Sequence, residues 1–303
     1  MFDFYKKRKI FFAISTFIIM LGIISVLING IDLSIQFKGG AIIKYSFIGD
    51  IDTNEVADKA SSVLNRNTEV QVIEDMATEG KKLVLNLAGN SGLDSSEQQE
   101  LDNILKTEFS ELNLQLSESN MVEPFIGKRF LINGLIAIAL SAVFIILYVR
   151  FRFKKISGLS AGVIALIALA HDVSIVFFSF ILFKIPINDS FIAVTLTIIG
   201  YSINDTIVIY DRIRENKNLP KYKKVSYENL VNNSINETLS RTINTTVTTV
   251  ASVGIVYIFA YLYNIESITS FALPMMVGLI SGCYSTICLA GPMMIMWQKK
   301  KAV

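Results

Sequence analysis

Histidine is nearly absent from this chain: His171 stands alone among 303 residues. That excludes a His-rich metal centre, because such sites draw on two or three imidazoles. Cysteine is almost as scarce. Cys283 and Cys288 both fall in the last apolar run, five residues apart and so on different faces of one helix. They carry no disulfide or metal signature and read as small packing residues. Five prolines and no low-complexity tract exclude disordered arms. No P-loop, nucleophile–base pattern or metal-ligand cluster occurs, so neither enzymatic activity nor a cofactor is expected. Any energy input must come from an ion gradient or a separate ATPase. Charged residues are also few, at 18%, against 52% hydrophobic, the profile of a polytopic membrane protein.

Long apolar runs are what the chain has instead. Crossing a bilayer as a helix takes about 20 apolar residues, given a core about 30 Å thick and a rise of about 1.5 Å per residue. Six stretches qualify: 10–28, 130–149, 158–183, 190–210, 243–263 and 271–297. The first follows Lys6-Lys7-Arg8-Lys9 but is longer than a signal core and lacks a small-x-small cleavage site, so it reads as an uncleaved anchor. Basic residues number four before the first run, four in 150–155, seven in 211–241 and three in 299–301. If every run spans, all 18 lie on one side, and the short loops opposite contain only Lys184. By the positive-inside bias, both termini are cytoplasmic, with loops 150–157 and 211–242 and the tail 298–303 on the same side.

Between the first two spans, residues 29–129 form a soluble segment on the exterior side, with 17 acidic and 9 basic residues. Alternation predicts strands at 41–48, 69–75 and 82–88 and a last extended stretch at 113–124. Helices are predicted at 53–65, opened by Asp52 with Glu55, and at about 96–112, opened by Ser95 with Gln98 in capping-box spacing. The order β-α-β-β-α-β is that of a ferredoxin-like unit, so the fold class is six transmembrane helices carrying one small α+β domain.

Three ionisable residues interrupt the apolar runs: His171, Asp172 and Asp205. An ionisable group in hydrocarbon costs roughly 2.5–3.5 kcal/mol at a helix centre and needs a partner or a watered cavity. Asp205 follows Asn204 near the cytoplasmic end of the fourth span. It is either a carboxylate tied to a basic residue at the interface or a group that takes up and releases a proton. The fifth span opens with SRTINTT, bringing Arg241 followed by Thr245, Thr248 and Ser252 at helical spacing. Those turns are too polar for lipid and are expected to pack on other helices. Arg241 is a candidate partner for Asp205, lowering the pKa of its carboxyl while desolvation raises it. His171 and Asp172 point about 100° apart on a helix, so alone they do not form one site. They could line two sides of a proton path or be a satisfied polar pair. Gly158 with Gly162, and Gly278 with Gly282, have the G-x-x-x-G spacing of close helix packing.

The motifs resemble those of the SecF family of protein-export membrane proteins over essentially the whole chain. FKGG at 37–40, HDV at 171–173, GYSINDTIVIYDRIRE at 200–215, SRTINTT at 240–246 and GLISGCYS at 278–285 stand in family order. The resemblance implies a subunit of the Sec preprotein translocase in the bacterial cytoplasmic membrane, within the resistance-nodulation-division group of proton-driven pumps. It implies a SecD partner beside the SecYEG channel, with the ATPase SecA and the accessory proteins YidC and YajC in the larger assembly. The implied role is use of the proton motive force to complete export of preproteins after SecA has acted. By the same resemblance, Asp205 and Arg241 match proton-transport residues, Gly39 and Gly40 a post-span glycine bend, and His171 and Asp172 a recurrent pair. Half of a proton-coupled exporter of small molecules or lipids, and a passive scaffold, are the competing expectations.

Overall fold

Backbone polar groups that leave water must satisfy one another, and a helix does so within a single segment. The computed structural model describes residues 2–34, 37, 40–65, 68–75, 80–88, 93–122, 124–156, 158–263 and 265–301. Among them, six helices are long and apolar enough to cross a membrane. The first is α1 (Arg8–Asn29). The ferredoxin-like domain follows as β1 (Gly40–Phe47), α2 (Thr53–Leu64), β2 (Thr68–Asp75), β3 (Gly80–Ala88), α3 (Ser95–Glu108) and β4 (Gln115–Val122). Then come α4 (Pro124–Arg152), α5 (Gly158–Leu182), α6 (Asp189–Asn218), α7 (Tyr227–Leu262) and α8 (Glu266–Tyr284). A π-helical turn, Ser285–Ala290, joins α8 to α9 (Gly291–Lys301).

The four strands form one antiparallel sheet in the order β2-β3-β1-β4, as the ferredoxin-like order predicts. Alternation explains which face is covered. Ala41, Ile43, Tyr45 and Phe47 point inward with Leu83, Leu85 and Leu87, and meet Val56 and Ala60 of α2 and Leu101 and Leu105 of α3. Ile42, Lys44 and Ser46 point the other way and stay half-buried. Gly40 opens β1 at φ 141°, a backbone that a side chain would strain. Gly39 lies outside the described residues. The α3 cap differs from the predicted one: Asp94, not Ser95, is the N-cap, and Glu97 returns its carboxylate to the Asp94 N–H at 3.0 Å. The helix also stops at Glu108 rather than 112, because the chain tightens into a 3₁₀ turn at Ser110–Leu112. Asp52 caps α2 with a single bond from the Asn54 N–H at 2.9 Å.

The region expected as a cytoplasmic loop at 211–242 is mostly helix. α6 runs on to Asn218 and α7 begins at Tyr227. Apolar periodicity marks only the part in hydrocarbon. Beyond it, ion pairs one turn apart (Arg212–Glu215 at 2.7 Å, Arg214–Asp211 at 2.8 Å) and Arg212–Glu237 across the hairpin at 2.6 Å carry both helices into water. At the opposite end, Leu33 bridges to Ile187. The Ile187 N–H donates to Asp32 O at 2.8 Å and the Ser34 N–H to Ile187 O at 2.9 Å. Residues 32–34, between α1 and the ferredoxin-like domain, are thus tied to the turn that starts α6.

Candidate functional site

Asp172 sits on α5, where α6 and α8 cross it, and is fully buried. Three serine hydroxyls donate to its carboxylate, each at 2.7 Å: Ser202 of α6, Ser281 of α8 and Ser285 of the π turn. His171 Nδ1 lies 3.2 Å from Asp172 Oδ1. The two side chains therefore meet despite their angular offset on the helix. Neighbouring helices complete the site that one helix alone does not. Small residues permit this convergence. A Cβ on Gly282 would come within 3.1 Å of Ser202, and one on Gly278 within 2.7 Å of Ile198 and 2.8 Å of Val176. On the far side of α5, a Cβ on Gly158 would meet the Arg150 carbonyl at 2.5 Å, while one on Gly162 would have ordinary contact with Ile146. These hydroxyl bonds tie α5 to α6, α8 and the π turn through one buried carboxyl group.

Asp205 presents the opposite case. It is only 3% exposed, yet its Oδ2 has no hydrogen-bond partner among the described residues. Two further buried oxygens share that condition on the facing helix, Thr242 Oγ1 and Thr246 Oγ1 of α7. Arg241 is exposed and forms no ion pair with Asp205 among the described residues. Cys283 of α8 lies against Thr246 and within electrostatic reach of Asp205.

The predicted polar stripe of α7 splits into two faces. Thr242 and Thr246 are buried against the bundle, whereas Arg241, Asn244, Thr245, Thr248 and Ser252 are exposed. The expected packing of that second set on other helices does not occur within this chain. Thr245, Thr248 and Ser252 instead turn their hydroxyls back onto the carbonyls of Arg241, Asn244 and Thr248, at 2.6–2.9 Å. On α6, Ala193, Thr197, Gly200 and Asn204 continue this uncovered face. Asn204 therefore points away from the interior into which its neighbour Asp205 is turned.

Sequence reasoning found Asp205, Arg241, His171 and Asp172, because an ionisable residue in an apolar run is conspicuous. It missed Ser202, Ser281, Ser285, Thr242 and Thr246. Serine and threonine are unremarkable in spans, and only the packing separates those that meet a carboxylate from the rest.

Residues 102–300 match the family model described as protein export membrane protein SecD/SecF, C-terminal. The protein translocase subunit SecF of Petrotoga mobilis is 32% identical over 302 residues, covering 99% of this chain and 97% of that one. The subunit SecDF of Bacillus subtilis is also 32% identical, but this chain spans only 38% of its length. The crystal structure of SecDF from Thermus thermophilus, a translocon-associated membrane protein, superposes with a TM-score of 0.80 at 29% identity. It covers 98% of this chain and 39% of that one. Six apolar helices, one ferredoxin-like domain and these matches lead to one conclusion: the chain belongs to the SecF family of protein translocase subunits.

Proposed function

We propose that this chain is one half of a proton-driven export unit, with Asp205 as the group that gains and loses the proton. The observation that carries the reading is the buried Asp205 carboxyl, whose Oδ2 has no hydrogen-bond partner and which no cation contacts directly among the described residues. A buried acid without a direct partner is a group whose charge its surroundings decide. Movement of the Arg241 guanidinium toward or away from it switches that balance. A proton falling through the membrane potential releases about 2.3 kcal/mol per 100 mV, useful only if protonation favours one arrangement of the spans over another. The bridge from Leu33 to Ile187 gives α6 a short mechanical route to the exterior domain.

The partner is a SecD-type half, either a separate chain or the remainder of a longer one, seated on the uncovered polar face of α6 and α7. Arg241, Asn244, Thr245, Thr248 and Asn204 inside a span are too polar to face lipid and need another protein surface. In this reading both termini are cytoplasmic, in the bacterial inner membrane. The unit serves the SecYEG channel after SecA-driven translocation, with YidC and YajC as accessory neighbours. His171 and Asp172 hold the span packing beside Asp205. In inverted membrane vesicles, Asp205→Asn is expected to leave the chain inserted and bound to its SecD-type partner while abolishing the stimulation of export by a proton gradient. Undiminished stimulation in that variant contradicts the proposal.

A further inference from the structure

Between α6 and α7, three buried oxygens without a hydrogen-bond partner among the described residues lie within about 6 Å along the helix axes. Two cross-helix hydrogen bonds set the register. Tyr201 Oη is 3.3 Å from Thr249 Oγ1, and Asn216 Nδ2 donates to Ser234 Oγ at 3.0 Å. Counting inward along the antiparallel pair from either bond places residue 205 opposite residue 245. Thr246 is one residue and Thr242 three residues from that level, about 1.5 and 4.5 Å along the axis. Thr245 itself is exposed on the other face, so the two threonines turned inward toward the buried Asp205 are Thr242 and Thr246, at 1% and 6% exposure.

α8 closes the third side. Gly282 comes close to Ser202, one turn before Asp205, and places Cys283 beside Thr246. The titratable groups around Asp205 are thus Arg241 from α7 and Cys283 from α8. From α5, Asp172 and His171 approach to within one turn through Ser202. Asp172 is already saturated with hydroxyl donors. A buried oxygen with no partner costs about 1–3 kcal/mol, and native interiors very rarely leave several together. Three oxygens, one an acid and two hydroxyls able to donate or accept, match the two to four polar partners that a buried water takes.

We propose that Asp205 Oδ2, Thr242 Oγ1 and Thr246 Oγ1 bind a water molecule through which Asp205 exchanges its proton. Thr242 and Thr246 are positioning residues for that exchange, and the proposal rests on the reading of Asp205 as the proton-exchanging group. On release, the carboxyl O–H passes its proton to the bound water as that water gives one of its own to solvent. The water remains neutral overall, and Asp205 is left as the carboxylate. On uptake the same two transfers run in reverse. The threonine hydroxyls orient the water but are not consumed.

The test is infrared spectroscopy on the full chain in its complex in membranes, following the protonated-carboxyl band that Asp205→Asn removes. On transfer from H₂O to D₂O, the Thr242→Val/Thr246→Val double variant is expected to slow exchange of that band by at least about tenfold. The corresponding double serine variant keeps the hydroxyls and is expected to stay within about twofold of the parent. Should the double valine variant fail to assemble, Thr246→Val alone is expected to slow exchange about threefold. Exchange at the parent rate in an assembled valine variant overturns the bound-water proposal. A parent complex in which no protonated-carboxyl band depends on Asp205 overturns the underlying proton reading as well.

Discussion

Asp172 and Asp205 are both buried aspartates within the spans, yet their surroundings differ completely. Three hydroxyls from two helices and a π turn, together with an imidazole, converge on Asp172. Asp205 has an oxygen without a hydrogen-bond partner among the described residues. The first is a polar knot that fastens α5 to α6 and α8. The second leaves part of its hydrogen-bonding capacity open, which is why the proton exchange proposed above is assigned to it. Burial alone does not separate the two carboxyl groups; the count of donors does. The π turn belongs to the structural knot, since it supplies Ser285, and π-helical turns commonly mark such departures from regular packing.

The largest stability effect expected is at the saturated site. Asp172→Ala orphans the Ser202 and Ser281 hydroxyls, leaves Ser285 only its longer bond to the Gly282 carbonyl at 3.2 Å and takes the partner from His171 Nδ1, and is predicted to cost about 3–5 kcal/mol. It should appear as a large fall in the thermal midpoint of the purified chain in detergent. Asp205→Ala, by contrast, should leave that midpoint nearly unchanged or raise it. A comparable fall at both positions would break the comparison. Gly278→Ala comes next: its Cβ would lie 2.7 Å from Ile198 and 2.8 Å from Val176. Overpacking of this kind is predicted to cost about 1–3 kcal/mol, read by the same melt.

The smallest effect lies in the ferredoxin-like domain, where a surface pair sets the scale for an ordinary carboxylate. Lys44 bonds Glu118 across β1 and β4 at 2.9 Å and, with Asn120, holds its carboxyl below the usual pKa range. A depressed pKa means stabilisation that is present above the unfolded-state value and lost as pH falls through the folded one. Because the pair is about half exposed, Lys44→Ala is expected to cost only a few tenths of a kcal/mol at neutral pH. That difference should vanish on acidification, as read from amide hydrogen exchange of β1 and β4 in the full chain. A difference that grows as pH falls would reverse the sign argument.

Much of this architecture was legible in the residue order. The six helices follow from run length, and the β-α-β-β-α-β order from alternation and caps. Asp205, Arg241, His171 and Asp172 stand out because ionisable residues are costly in hydrocarbon. Other features depend on which face of a helix meets which neighbour. Thr242 and Thr245 are three residues apart and chemically identical, yet one is buried and the other exposed, because α6 and α8 cover only one side of α7. Ser202, Ser281 and Ser285 converge on Asp172 from segments separated by up to 113 residues. The helical extensions of α6 and α7 beyond the apolar runs rest on ion pairs, to which hydropathy is blind.

The contrast between the two aspartates is tested most directly by infrared titration of the complex across pH, with Asp205→Asn and Asp172→Asn in parallel. The account predicts one protonated-carboxyl band that appears on acidification, disappears in Asp205→Asn and persists in any assembled Asp172→Asn complex. A titrating band that survives loss of Asp205 and disappears with Asp172 would contradict it.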